Sequence, residues 1–136
     1  MADYLLDTNV LARCLRGITD TLAMTRTLTN EGDLHISTLS RLEILAEAPA
    51  REEKRTFDFL APFMQLPLNE DIAEFAARLV RETTPPLNLS DAIIAATAVR
   101  HDLTLVTCTP NQFAAVSELR TYPLPLSASP KSNLAR

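Results

Sequence analysis

The sequence predicts an α/β domain in three layers, with a mostly parallel central sheet and helices on both faces. Three observations lead there. Short apolar runs of strand length (Tyr4-Leu5-Leu6, Leu34-His35-Ile36, residues 63–68 and Leu103-Thr104-Leu105-Val106) alternate with longer stretches whose apolar residues recur at helical spacing. One of those stretches, residues 92–99, is apolar nearly all round, so it belongs in the middle of a domain. The joins carry cap or turn chemistry, as in Asp7-Thr8-Asn9 and Asn30-Glu31-Gly32-Asp33. Strands that alternate with helices pair in parallel, because each crossover helix returns the chain to the same end of the sheet.

Each element has its own signal. Tyr4-Leu5-Leu6 is a buried strand, and Asp7-Thr8-Asn9 caps the helix that follows it. Val10, Leu11, Cys14 and Leu15 form that helix's apolar face, and Gly17 ends it. Residues 19–29 form a second helix, and Leu34-His35-Ile36 a second strand. Thr38 or Ser40 caps a helix carrying Leu42, Glu43 and Leu45. Ser40 and Glu43 have capping-box spacing, and Pro49 breaks the helix. Residues 51–60 alternate charge with Phe57, Phe59 and Leu60 until Pro62, and residues 63–68 are a third strand. Asn69 caps a helix over 70–81 whose buried face is Ile72, Ala73, Ala76, Leu79 and Val80. After the loop Thr83-Thr84-Pro85-Pro86, Ser90-Asp91 opens the apolar helix. Leu103-Thr104-Leu105-Val106 is the fourth strand, and Pro110 starts a short helix with Phe113 and Val116. Thr121-Tyr122-Pro123-Leu124 is an edge strand, since the proline bars it from a central place.

The 136 residues suit one domain over residues 1–126 followed by a polar tail over 127–136. Hydrophobic residues at 46% and charged residues at 22% are the composition of a globular chain, not a disordered one. Cys14 and Cys108 are too few and too isolated for a disulfide framework or a zinc site. Charged residues interrupt every apolar stretch, so no membrane span is expected, and the N-terminus has no basic leader; both point to a cytoplasmic protein. A net charge of −4 argues against a non-specific nucleic-acid binder. It does not exclude a metal-dependent enzyme, whose carboxylates are neutralised by the cation they hold.

Asp7, Glu43 and Asp91 are the candidate site. Taken singly, each reads as ordinary: a strand-closing cap, a capping-box partner and a first-turn acid on a helix dipole. Their surroundings differ from that reading. Asp91 stands on a helix that must be buried, and a buried carboxylate is costly unless a cation pairs with it. Glu43 lies between Leu42 and Ile44-Leu45. Sites on parallel sheets form at the carboxyl ends of the strands, and acids gathered there repel each other until a hard divalent cation relieves them. His35 and His101 have no partner at ligand spacing and read as structural.

The residues resemble a known family. Tyr4-Leu5-Leu6-Asp7-Thr8-Asn9-Val10-Leu11 resembles the opening of VapC-type PIN domains. The run from Ile36 to Leu45 resembles their second block, which carries a metal-site glutamate. Leu89-Ser90-Asp91-Ala92-Ile93-Ile94-Ala95-Ala96 resembles the third block, and Leu103-Thr104-Leu105-Val106-Thr107 the strand after it. The blocks follow in order over nearly the whole chain. The resemblance implies a PIN-like fold and a metal-dependent endoribonuclease, the toxin of a type II toxin–antitoxin pair, with Asp7, Glu43 and Asp91 holding Mg²⁺ or Mn²⁺. It implies a VapB-like, DNA-binding antitoxin as partner, RNA as substrate, and a homodimer. Phe57, Phe59, Leu60 and Phe63 would supply an apolar patch for the dimer. Thr107 either ends a strand or orients Asp7; Asn9 caps or braces the first helix. Arg13 and Arg16 either meet the RNA backbone or form a solvated helix face.

The fourth block departs from the family pattern. Thr107-Cys108-Thr109-Pro110-Asn111-Gln112 has Thr109 where the family usually has Asn or Asp, and Gln112 where a later Asp is common. A neutral hydroxyl adds no charge, so one metal ion is expected more readily than two. Two rival readings follow: a catalytically weakened PIN-fold binding module, or a related metal-dependent nuclease acting on DNA or flap structures.

Overall fold

The computed structural model describes residues 3–125; the tail expected over 127–136 lies outside the described residues. The elements run β1 (Tyr4–Leu6), α1 (Thr8–Leu15), α2 (Thr19–Thr29), β2 (Leu34–Ser37), α3 (Thr38–Glu47), α4 (Glu53–Leu60), β3 (Met64–Leu66), α5 (Glu70–Glu82), α6 (Leu89–Arg100), β4 (Thr104–Thr107) and β5 (Thr121–Pro123). Short 3-10 turns at Ala50–Glu52 and Pro110–Phe113 join some of them. The strands form one sheet in the order β3-β2-β1-β4-β5, and every pairing is parallel.

Side-chain alternation along the strands divides the core in two. Leu5 and Leu105 face one way, onto α5 and α6 through Ile72, Phe75, Leu79, Ile94 and Ala95. Tyr4, Leu6 and Val106 face the other way, onto Val10, Leu11, Leu28, Ile44 and Leu60. Helices therefore cover both faces, and the three-layer α/β reading holds. The nearly all-apolar α6 is buried from Ala92 to Ala98 save for the partly buried Ile93, as its composition requires.

The chain leaves β1 for β2 on one side and later reaches β4 on the other. The carboxyl ends of β1 and β4 thus flank a topological switch point, the usual place for a site in such a sheet. Gly17 adopts φ +78 just past the end of α1, a left-handed conformation that glycine enters without steric cost.

Some boundaries differ from expectation. The cap of α3 is Ser37, whose hydroxyl accepts from the Leu39 N–H, so neither Thr38 nor Ser40 caps it. Glu43 consequently lies in the second turn and is not a capping-box partner. The third strand is only Met64–Leu66, because Pro67 removes a ladder donor. The patch assigned to Phe57, Phe59, Leu60 and Phe63 is smaller than expected. Leu60 is fully buried and Phe59 packs edge-on against Phe63, which leaves Phe57 as the most exposed of the four.

Candidate active site

The three acids arrive from three parts of the chain. Asp7 is the cap between β1 and α1, with extended φ −68 and ψ 156. Glu43 stands in the second turn of α3, and Asp91 in the first turn of α6, whose cap is Asn88. All three line one open cleft of about 490 Å³, together with Thr8, Asn9 and Gln112.

Asp7 is only 6% exposed. Its Oδ1 accepts the Thr8 N–H at 2.8 Å and its Oδ2 accepts the Thr107 hydroxyl at 2.8 Å. Burial pushes its carboxyl up to about 6, against the pull of those two donors, and the charges of Asp91 and Glu43 add to the rise. The Asp91 carboxyl is also raised, first by partial burial and then by Glu43, while Asn88 opposes the shift. Asn88 grips Asp91 twice: its Oδ1 accepts the Asp91 N–H at 2.8 Å and its Nδ2 donates to Asp91 Oδ2 at 3.3 Å.

Glu43 is oriented by two hydroxyls. Thr8 donates to its Oε1 at 2.7 Å and Ser90 to its Oε2 at 3.2 Å. Thr8 has one hydroxyl proton, so its 2.8 Å contact with the buried Ser40 hydroxyl must run from Ser40 to Thr8. Thr8, Ser90 and Asn88 were not among the site residues expected from the sequence, and Ser40 was expected only as a helix cap. Their signals were faint: Thr8 lies inside the Asp-Thr-Asn triplet and Ser90 directly precedes Asp91.

Thr107 ends β4, and its buried hydroxyl donates to Asp7. Thr109 sits one link further out. Its N–H donates to Thr107 Oγ1 at 3.0 Å, its hydroxyl donates to Gln112 Oε1 at 3.0 Å, and it accepts from Asn9 Nδ2 at 3.2 Å. Asn9 also accepts the Cys108 N–H at 3.3 Å, so it braces α1 against the loop after β4. The Cys108 thiol is buried and raised by that burial, which leaves it unreactive.

The two arginines part company. Arg16 is exposed at the end of α1 and lines a groove of about 450 Å³ that shares Ala12, Ile44 and Glu47 with the acidic cleft. Arg13 is 8% exposed and donates through Nε to Thr21 Oγ1 at 2.9 Å. Burial between α1 and α2 removes it from both readings offered for it, phosphate contact and solvated face.

The donor set is carboxylate, hydroxyl and amide oxygen, the chemistry of a hard divalent cation. Among the described residues no three Asp, Glu, His or Cys side chains are grouped tightly enough to cage a metal ion by themselves. The residues fit an ion that keeps several waters and takes only part of its shell from protein, as Mg²⁺ does.

The PIN-domain family profile matches residues 4–119. The chain belongs to the PIN-domain family. Among curated proteins it is similar to ribonuclease VapC10 of Mycobacterium tuberculosis, with 31% identity over 119 residues, covering 85% of this chain and 90% of that protein. Among solved structures it resembles a toxin–antitoxin complex from Klebsiella pneumoniae, with 31% identity and a TM-score of 0.74 over 89% of this chain and 99% of that one. It also superposes on VapBC2 of Rickettsia felis bound to a promoter DNA fragment, with 18% identity and a TM-score of 0.78 over 90% and 98% of the two chains. PIN-domain ribonucleases of the VapC type depend as a class on a divalent metal ion. Within this PIN domain the acids occupy the carboxyl edge of the sheet, and the fourth block brings hydroxyl and amide groups to the same edge.

Proposed function

We propose that this PIN domain is a metal-dependent endoribonuclease, the toxin of a type II toxin–antitoxin pair, that hydrolyses RNA phosphodiester bonds at the cleft of Asp7, Glu43 and Asp91. The observation that carries the reading is the convergence of three carboxylates, 36 and 48 residues apart in sequence, on one solvent-open cleft at the sheet's switch point. Asp7 there is buried at a cost that a cation would remove. The similarity to a named ribonuclease and to toxin–antitoxin complexes supports the same reading.

Asp7, Glu43 and Asp91 would hold Mg²⁺ or Mn²⁺. Such an ion supplies Lewis acidity, lowering the pKa of an attacking water and neutralising charge that develops on the phosphate. The chain's own groups do the positioning. Thr107 and the Thr8 N–H keep both Asp7 oxygens in fixed directions, Thr8 and Ser90 do so for Glu43, and Asn88 for Asp91. Arg16 lies two turns along α1 from Thr8, about 12 Å at 1.5 Å per residue. There it would meet a backbone phosphate on the strand's way out of the cleft.

The protein would act in the cytoplasm, where RNA is accessible, and be silenced by a VapB-like, DNA-binding antitoxin. It would work as a homodimer, with exposed Leu42, Phe57 and Met64 as candidates for the interface. Among the described residues no helix is long and apolar enough to cross a membrane.

The test is cleavage of labelled RNA by the purified chain with Mn²⁺, beside EDTA and Asp7→Asn controls and a DNA strand of the same sequence. RNA cut by the wild type alone, and only with metal, supports the proposal; equal cutting of DNA favours the broader nuclease. One observation favours a second reading, a weakened enzyme that chiefly binds: the Thr109 hydroxyl, in place of a fourth acid, is committed to Gln112. RNA binding without cleavage at saturating Mn²⁺ would establish it.

A further inference from the structure

A second cavity, of about 340 Å³, opens beside the acidic cleft and shares Asn88, Asp91 and Gln112 with it. Its walls differ in kind from those of the cleft. Pro85 and Pro86 line one side, and Asn111 and Gln112, from the 3-10 turn after β4, line another. Among the described residues Asp91 is its one charged lining residue, so they bring it no cation for a phosphate and no cluster of acids for a metal. Its volume is at the small end of the range for small-molecule pockets, about 300–1,000 Å³.

Part of the hydrogen-bonding capacity that reaches this cavity is unspent. Both amide atoms of Asn88 are engaged by Asp91, and Gln112 Oε1 accepts from Thr109. Gln112 Nε2 and the whole Asn111 amide have no side-chain hydrogen bond among the described residues, and both side chains are exposed. A free amide offers a donor and an acceptor side by side, the pattern that pairs in bidentate fashion with a nucleobase edge. In single-stranded RNA those edges are open to reading. Proline rings give the flat apolar surface against which a base packs.

We infer that this cavity is a base-recognition subsite, in which Asn111 and the Nε2 of Gln112 read one nucleobase of the RNA next to the scissile phosphate. The inference rests on the ribonuclease reading and adds a source of sequence preference to it. Asp91 stands between the cleft and the subsite, so a strand whose phosphate lies at the acids places a neighbouring base in the cavity. The reading group is neutral and the positioning groups are charged, as in other nucleic-acid sites where phosphate contacts align and base contacts select.

The experiment maps cleavage sites in an RNA with a randomised cassette, using the full chain with Mn²⁺, for wild type, Asn111→Ala, Asn111→Asp and Gln112→Ala. Wild type should show a base preference at one position near the cut. Asn111→Ala should flatten that preference by about tenfold, the value of one bidentate pair. Asn111→Asp should change which base is favoured, because a carboxylate only accepts. An equal preference profile in all four proteins overturns the inference, and so does a fall in rate with an unchanged profile. A profile left unchanged by Asn111→Ala while that variant loses its antitoxin would make the cavity a protein site and also overturn it. Failure of the wild type to cut any RNA would sink the ribonuclease reading first, which separates the two failures.

Discussion

Replacing Asp7 by Asn removes a charge that the fold holds at a cost. Burial lifts the Asp7 carboxyl from 3.8 to about 6, roughly two units, and each unit is about 1.4 kcal/mol. In metal-free protein above pH 6 the charged form therefore costs about 3 kcal/mol. Because the folded pKa is raised, the native state binds more protons than the unfolded chain between pH 3.8 and about 6. Stability falls as pH rises through that window, and the penalty is complete above it and absent below it. Asparagine can accept the Thr8 N–H through Oδ1 and donate to Thr107 Oγ1 through Nδ2. Thr107 then turns its proton toward Thr109 Oγ1, 3.3 Å away. With that bond imperfect, Asp7→Asn should gain about 1–3 kcal/mol at pH 8 in EDTA, measured by urea unfolding, and little at pH 3.5. Mn²⁺ should cancel or reverse that gain, since binding to the native state stabilises wild type by about 2.7 kcal/mol at a hundred times Kd and by about 4.1 at a thousand times. A variant less stable than wild type at pH 8 in EDTA, or a difference that does not change with pH, would refute the reasoning.

Other expectations follow from the same geometry. Glu43→Ala and Asp91→Ala should each lower kcat by more than the about 10- to 100-fold typical of groups that merely orient metal ligands, with circular dichroism unchanged. Thr107→Val should raise the Asp7 carboxyl above about 6, because the hydroxyl it removes holds that carboxyl down; the acid limb of the pH–rate profile should then shift upward. Thr109→Asp should tighten Mn²⁺ in isothermal titration and lower metal-free stability; unchanged affinity would put residue 109 out of reach of the ion. Sedimentation should show a dimer at micromolar concentration, and Phe57→Glu should weaken it.

The fold was legible because periodicity reports burial directly. Leu5 and Leu105 alternate against Leu6 and Val106 across the sheet, and the unbroken apolar face of α6 left it only a central place. The meeting of the three acids in one cleft was expected from their surroundings and from the family resemblance, since each acid taken singly has an ordinary structural use. What could not be read was anything set by a distant partner. Thr8 and Ser90 orient Glu43 from 35 and 47 residues away, and no local pattern records that. Arg13 read as an RNA contact or a solvated face, and it is neither, because its partner, Thr21, belongs to the next helix. The cap of α3 was misplaced among three hydroxyls in four residues, Ser37, Thr38 and Ser40. Local chemistry suits all three, and the end of β2 selects the first.

Neutral donors explain how one cleft can hold Asp7, Glu43 and Asp91 together. Each carboxylate needs a fixed direction, and a neutral donor gives one without adding charge. The Asp7 and Glu43 carboxylates each receive two donors and the Asp91 carboxylate one, so each acid is held by neutral hydrogen bonds and, among the described residues, none by an arginine or lysine. A protein cation at that place would have quenched the field that draws a metal ion or, from an antitoxin, an arginine fork. The two visitors would seek the same charges. Under the proposed function, metal loading and antitoxin binding would therefore be linked through Asp7, whose burial would favour whichever cation arrives.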